Sequence, residues 1–264
     1  MTDYGQYVKS LHYAMVIKDG VTYQGPPAVG FENENAMYRL ADGALAVQLK
    51  IDVREPRDAR ALVQPTIDAW EAISDLERGW GEIRFTYERA ELDYRSKPPG
   101  VVLGHLEILV GAASLHATGT VAPPVRTSYP SPLATFNLTP DARSIMDRLR
   151  RSEEGAEPTP SMAYFCLTTV EELVRARKAD ARLPRDEVAK WLGIEPKVLR
   201  KLGELSSERG GPAEGRKANL ALLSDAERHW MRTAVRKLIR QIGIVDSGNP
   251  APSLTMADLP PLGQ

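Results

Sequence analysis

Hydrophobic and polar residues alternate in the first part of the chain and switch to a spacing of three and four in the second. The alternation is clearest where Leu45, Val47, Leu49, Ile51 and Val53 are interleaved with Ala46, Gln48, Lys50 and Asp52, the period of a half-buried strand. Upstream, Tyr13 to Lys18 and Val21 to Gln24 flank Asp19-Gly20, and Asp42-Gly43 repeats that dipeptide. Asp-Gly suits two-residue hairpin turns, whose central residues both need positive φ, so two hairpins are predicted. Ile83 to Tyr87, extending toward Tyr94, and Val101 to Val110 read as further strands. Between them, Asp58 to Leu76 carries Ala61, Leu62, Ile67, Ala69, Trp70 and Ile73 on an apolar stripe and predicts a helix that Pro65 kinks or divides. A sheet has to cover its apolar face, so this helix is expected to pack on it.

From Ser161 onward the pattern is helical. Met162, Phe165, Cys166, Thr169, Val170, Leu173 and Val174 recur at intervals of three and four. Arg185 to Leu202 then reads as two short helices around a sharp turn, with Val188, Ala189 and Leu192 on the first, Gly193 in the turn, and Pro196 opening a second that buries Leu199 and Leu202. That is the outline of a helix-turn-helix. Ser206 to Asn219, with three glycines and a proline, predicts a loop. A capping box at Ser224-Asp-Ala-Glu227 opens a last helix, with Trp230, Ala234, Val235, Leu238, Ile239 and Ile242 inward and Gly243 as its stop. The expected class is α+β: an N-terminal antiparallel sheet with a packed helix, then an all-α C-terminal domain containing the helix-turn-helix-like segment. Turn-rich and charged stretches place the domains at 1–150 and 160–245, with a linker near Arg150 and a flexible proline-rich tail over 246–264.

Composition narrows the class without naming a chemistry. A length of 264 residues suggests two cores, and 42% hydrophobic with 26% charged residues is ordinary for a globular chain. No apolar run is long enough to span a bilayer, and the first residues lack the basic start and apolar core of a secretion signal, so no membrane partner and a cytoplasmic location are expected. The lone Cys166 excludes an internal disulfide and a cysteine-rich zinc site. The net charge of -1 conceals an asymmetry: 17 Lys and Arg face 11 Asp and Glu between Glu171 and Val245, whereas residues 1–140 hold 13 against 17. A basic half fits a nucleic-acid partner, through neutralisation of phosphates.

Lys197, Arg200 and Lys201 on the second helix of the turn motif are the candidate nucleic-acid contacts, joined by Arg216 and Lys217. The competing reading of the motif is a helical hairpin inside a bundle. The run Trp191 to Leu205, with Arg216-Lys-Ala and Leu223-Ser-Asp-Ala-Glu-Arg-His-Trp230, resembles an uncharacterised bacterial family that joins a β-rich N-terminal module to a helical domain of the HEPN (higher eukaryote and prokaryote nucleotide-binding) kind. The resemblance is densest over residues 160–243. It implies, as an alternative function, a ribonuclease or a toxin- or defence-associated protein, whose active motif pairs an Arg with a His a few positions later.

The chain departs from that motif. His229 is the sole histidine of the helical half, and Leu222, Leu223 and Ser224 stand where the Arg would lie; Arg209 and Arg216 have no histidine downstream at suitable spacing. Without that pair the general acid/base step of RNA cleavage has no agent, and no catalytic residue is assigned. His105 and Glu107 share a strand face but lack a third metal ligand, so no metal is assigned; His12 reads as a surface histidine and Cys166 as core. Arg209-Gly-Gly-Pro-Ala-Glu-Gly lacks the Lys-Ser/Thr of a phosphate loop, and no serine has a nucleophile-elbow context. No cofactor is expected. The leading expectation is a non-catalytic binding protein with nucleic acid as the favoured partner; a third alternative is a protein-interaction or homodimerisation module.

Overall fold

The computed structural model of the chain describes residues 5–95, 124–132, 135–207 and 222–262. These form two compact units, one within Met1–Ala134 and one within Thr135–Gln264, and the class is α+β.

The first unit is built on a five-stranded antiparallel sheet. Its strands in chain order are β1 (Gly5–Ile17), β3 (Val29–Glu32), β4 (Ala36–Ala41), β5 (Ala44–Leu49) and β6 (Ile83–Arg95), in the spatial order β3-β4-β5-β1-β6. A two-residue strand β2 (Thr22–Tyr23) pairs in parallel with β7 (Val125–Arg126). Alternation selects one face: Ala36, Tyr38 and Leu40 of β4 are buried, as are Leu45 and Val47 of β5, whereas Met37, Arg39 and Gln48 are exposed. Helix α1 (Pro56–Arg78) lays Ala59, Val63, Ile67 and Trp70 on that face, where they meet Val8, Leu11 and Tyr13 of β1. Each fully buried Leu, Ile or Val contributes about 1.5–3 kcal/mol, so this contact dominates the unit's stability. Phe31 stacks on Tyr38 with centroids 4.6 Å apart, and the Trp70 indole donates to the Pro130 carbonyl at 3.0 Å.

The second unit is helical: α2 (Pro140–Glu153), α3 (Thr159–Lys178), α4 (Arg185–Trp191), α5 (Pro196–Ser207) and α6 (Asp225–Asp246). Helix α3 is the hub, packing on each of the other four with Met162, Cys166, Leu167, Val170 and Val174 inward. Burial pushes the Cys166 thiol well above its usual pKa, so it behaves as a small apolar group. The capping box at the start of α6 forms as expected, Glu227 N–H donating to Ser224 Oγ at 3.2 Å and Ser224 N–H to Glu227 Oε2 at 2.8 Å.

Several expectations are corrected. The domain boundary lies at Ala134/Thr135 instead of near Arg150, because Ala142, Ile145, Met146 and Leu149 turn Pro140–Glu153 into an amphipathic helix of the second unit. Residues 246–264 are not a flexible tail throughout: Leu254 and Leu259 are buried, and Leu254 pairs with Ile194. Gly243 lies inside α6 and does not end it; a side chain there would overlap the Phe136 ring, so the glycine serves packing. Asp19-Gly20 makes a turn but no hairpin, since β1 pairs with β5 and β6 while β2 pairs with β7. Strand β5 stops at Leu49, leaving Ile51 exposed, and α1 runs undivided through Pro65. The strand expected at Val101 to Val110 lies outside the described residues.

Candidate nucleic-acid interface

The turn motif has the expected geometry. Helix α4 ends at Trp191, Gly193 takes φ +69°, and α5 starts at Pro196. The positive φ is the reason for a glycine here, and a side chain at this position would also press on the Ala251 carbonyl. Helix α5 does not project. Val198, Leu199, Leu202, Gly203, Leu205 and Ser206 are buried against the bundle, and among its residues only Lys197 and Arg200 are exposed.

Each cation on α5 faces a carboxylate. Lys197 lies 3.6 Å from Glu195, Lys201 lies 2.8 Å from Glu204, and the Arg200 guanidinium grips Asp186 of α4. The pairs themselves are weak, since exposed ion pairs are worth about 0–1 kcal/mol. The local sum matters more. Residues 185–204 hold five Lys and Arg against four Asp and Glu, so a phosphate backbone approaching the motif meets almost no net charge. The tail also occupies the turn: Glu195 N–H donates to Leu254 O at 2.8 Å, and Leu254 N–H donates to Gly193 O at 2.9 Å.

Helix α6 distributes its charges differently, with its acids confined to its ends, Asp225 and Glu227 in the first turn and Asp246 in the last. Between Arg228 and Val245 it carries five Lys and Arg and no Asp or Glu. Arg228, Arg232, Arg236 and Arg240 recur every fourth residue and therefore form one row, about 18 Å long at 1.5 Å per residue. Lys237 lies beside it, and Arg240 and His229 are exposed. Two members brace the bundle. Arg232 donates to Ser152 O at 2.9 Å and to Thr159 Oγ1 at 3.2 Å, and Arg236 pairs with Glu153 at the end of α2. This row was not among the sequence-derived candidates. The signal was available in the absence of any acid over 18 residues and in the fourfold arginine spacing. Of the remaining candidates, Arg216 and Lys217, and with them Arg209, His105 and Glu107, lie outside the described residues.

The described residues hold no acid–base arrangement suited to RNA cleavage around His229. It sits in the second turn of α6, exposed, with no hydrogen bond or ion pair. In the first unit, Ser10, His12 and Glu91 come together across β1 and β6. Ser10 Oγ lies 3.1 Å from His12 Nε2 and donates to Glu91 Oε2 at 3.1 Å, while the same Nε2 lies 3.1 Å from Glu91 Oε1. A serine–histidine–acid relay needs the serine and the acid on opposite ring nitrogens. Here both partners meet one nitrogen, so the trio is a hydrogen-bonded surface cluster, and His12 is half-buried within it. Burial opposes the charge on Glu91, but the Ser10 hydroxyl and then His12 outweigh it and lower its pKa.

The buried Glu82 of that unit is structural. Glu82 accepts from Tyr23 Oη at 2.7 Å and from Arg126 Nη2 at 2.7 Å, tying β2, β6 and β7 together. Among the described residues no group of three His, Cys, Asp or Glu side chains is placed to hold a metal, and no helix is long and apolar enough to cross a membrane. No protein-family model matches the chain, and neither a curated protein nor a solved structure matches it.

Proposed function

We propose that the chain is a non-catalytic nucleic-acid-binding protein whose phosphate contacts come from α6 and not from the turn motif. The observation that carries this is the run from Arg228 to Val245 of α6, which holds five Lys and Arg and no acid of its own, set against α5, whose cations each meet a carboxylate. A row of arginines about 18 Å long offers charge-assisted, bidentate donors to successive phosphates, and phosphate contact supplies affinity without sequence readout. On this reading the helical unit is a HEPN-like bundle that binds the backbone without the Arg–His pair of the ribonucleases. The single buried cysteine accords with a cytoplasmic setting.

The test is a fluorescence-anisotropy titration of the intact chain with mixed-sequence DNA and RNA pools over a range of salt. Replacing Arg228 and Arg240 by Ala should flatten the salt slope by about 1.5–2, at about 0.9 per phosphate contact on B-DNA and somewhat less on single strands. Arg232 and Arg236 stay in place, because they brace α2. Replacing Lys197, Arg200 and Lys201 by Ala should leave most of the slope. Absence of binding at low salt overturns the reading in favour of a protein-interaction or homodimerisation module, and metal-independent RNA cleavage overturns it in favour of the enzyme.

A further inference from the structure

The C-terminal segment does more than end the chain. Beyond α6 the backbone turns through Gly248 and Pro250 and comes back across the bundle. Gln241 Nε2 of α6 donates to Pro252 O at 2.6 Å, which places the segment on one flank of that helix. Lys237 is one turn earlier on the same flank, since residues four apart are stacked along a helix. Leu254 then makes its parallel bridge to Ile194 in the α4–α5 turn, and Met256 N–H donates to Glu195 Oε2 at 3.0 Å. A single 3₁₀ turn, Met256–Asp258, follows, closed by Asp258 Oδ2 accepting from the Thr255 N–H and hydroxyl, both at 2.8 Å. Leu254 and Leu259 are the buried anchors at either end of that turn.

We propose that residues 250–262 are an autoinhibitory strap: seated, they cover the Lys237 flank of α6 and bring the Asp258 carboxylate to it, and released, they return that flank to nucleic acid. The inference rests on the proposed phosphate-binding role of α6. Three features support it. The strap is held by two leucine anchors and a few hydrogen bonds, so it can open without unfolding the bundle. It touches α6, which carries the proposed interface, and is pinned at its far end to the α4–α5 turn. Its exposed side sets a negative charge toward Lys237: the Thr255 backbone and hydroxyl lower the Asp258 pKa, and Lys237 adds to that effect.

The experiment uses the full-length chain with a 20-nucleotide single-stranded RNA at low salt. Leu254→Ala combined with Leu259→Ala removes both anchors without changing charge. It should bind about three- to tenfold more tightly than the wild type at low salt, with a salt slope steeper by about 0.7, the counterion contribution of one regained phosphate contact on a single strand. Amide exchange at Glu195 and Leu254 should accelerate in that variant while the α6 amides stay protected. Asp258→Asn keeps a hydrogen-bond acceptor for Thr255 and the strap in place, and should tighten binding by about threefold through charge alone. If the double variant loses its fold, Asp258→Asn decides the question. A wild type that binds, with both variants equal to it or weaker, removes the strap and leaves the interface standing. Failure of wild type and variants alike to bind removes both.

Discussion

Helices α5 and α6 are both amphipathic, both buried on one side and both basic, yet they use their cations in opposite ways. On α5 every Lys or Arg has an acid at hand, within its own turn, just before the helix or on α4, so the outer surface is nearly neutral and the helix serves as packing. On α6 no acid lies in the sequence between Arg228 and Arg240, and two of the arginines in that row reach to other helices, Arg232 to the Ser152 carbonyl and the Thr159 hydroxyl and Arg236 to the Glu153 carboxylate. A helix-turn-helix outline is therefore a statement about backbone. Whether it reads a nucleic acid depends on which face is buried and on the charges around it.

That contrast can be tested by mutation. If α5 is chiefly a core element, Leu202→Ala should be the costliest of these changes, lowering stability by about 2–5 kcal/mol in urea unfolding, as for a fully buried leucine that leaves a cavity. Next come the two helix glycines. Gly243→Ala in α6 should lose about 1–3 kcal/mol, because the new methyl group overlaps the rigid Phe136 ring and the overlap outweighs alanine's helical advantage of about 1 kcal/mol. Gly203→Ala in α5 should be close to neutral, since the nearest atom is the movable tip of Arg185; a loss as large as that at Gly243 would show α5 to be the more tightly packed helix.

Smaller still, Arg236→Ala should cost about 1 kcal/mol, since the Glu153 pair it breaks is largely buried. The smallest effect is expected for Arg200→Ala. Asp186 is held below the usual carboxylate range by its hydrogen bond from Arg200, so the pair contributes above the unfolded Asp pKa and its contribution is lost as pH falls through the lower, folded value. Both groups are solvent-exposed and screened, so the urea midpoint at pH 7 and the acid limb of a pH–stability profile should not move measurably. A clear shift of either would mean that α5 relies on its surface charges as α6 does.

The turn motif was legible because local chemistry determines it: Gly193 needs a positive φ and Pro196 opens a helix. The same holds for Asp42-Gly43, where both residues have positive φ, +51° and +76°, and β4 and β5 pair across them. Asp19-Gly20 is the same dipeptide with a different outcome. Only Gly20 has a positive φ there, and β2 pairs with β7, about a hundred residues away, a partner no local signal announces. Strand β4 was implied only by the turn at Asp42-Gly43, because Ala36 fills a buried position and Met37 an exposed one, which blurs its alternation, and β3 was missed. The tail was misread for a related reason. Its prolines suggested disorder, and its two anchors, five residues apart, match no helical or strand period until the turn that receives them is in place.

The charge on α6 could have been read from the sequence, but the neutrality of the turn motif could not. Asp186 lies fourteen residues from the Arg200 it meets, and only the packing of α4 on α5 brings the two together. A net charge counted along the chain locates the basic half but does not show which of its cations meet an acid in the fold.

The position of β1 has a consequence for how the chain is made. Strand β1, made before the other strands of its sheet, sits between β5 and β6 when the sheet is complete, and its full-length partner on one side is Ile83–Arg95, so Ser10 waits for Glu91. Until that partner, about eighty residues downstream, has emerged, one long edge of β1 is open to whatever strand it meets. Only then can the sheet close around its first strand, and the nascent chain carries a sticky edge through most of the synthesis of its own first unit.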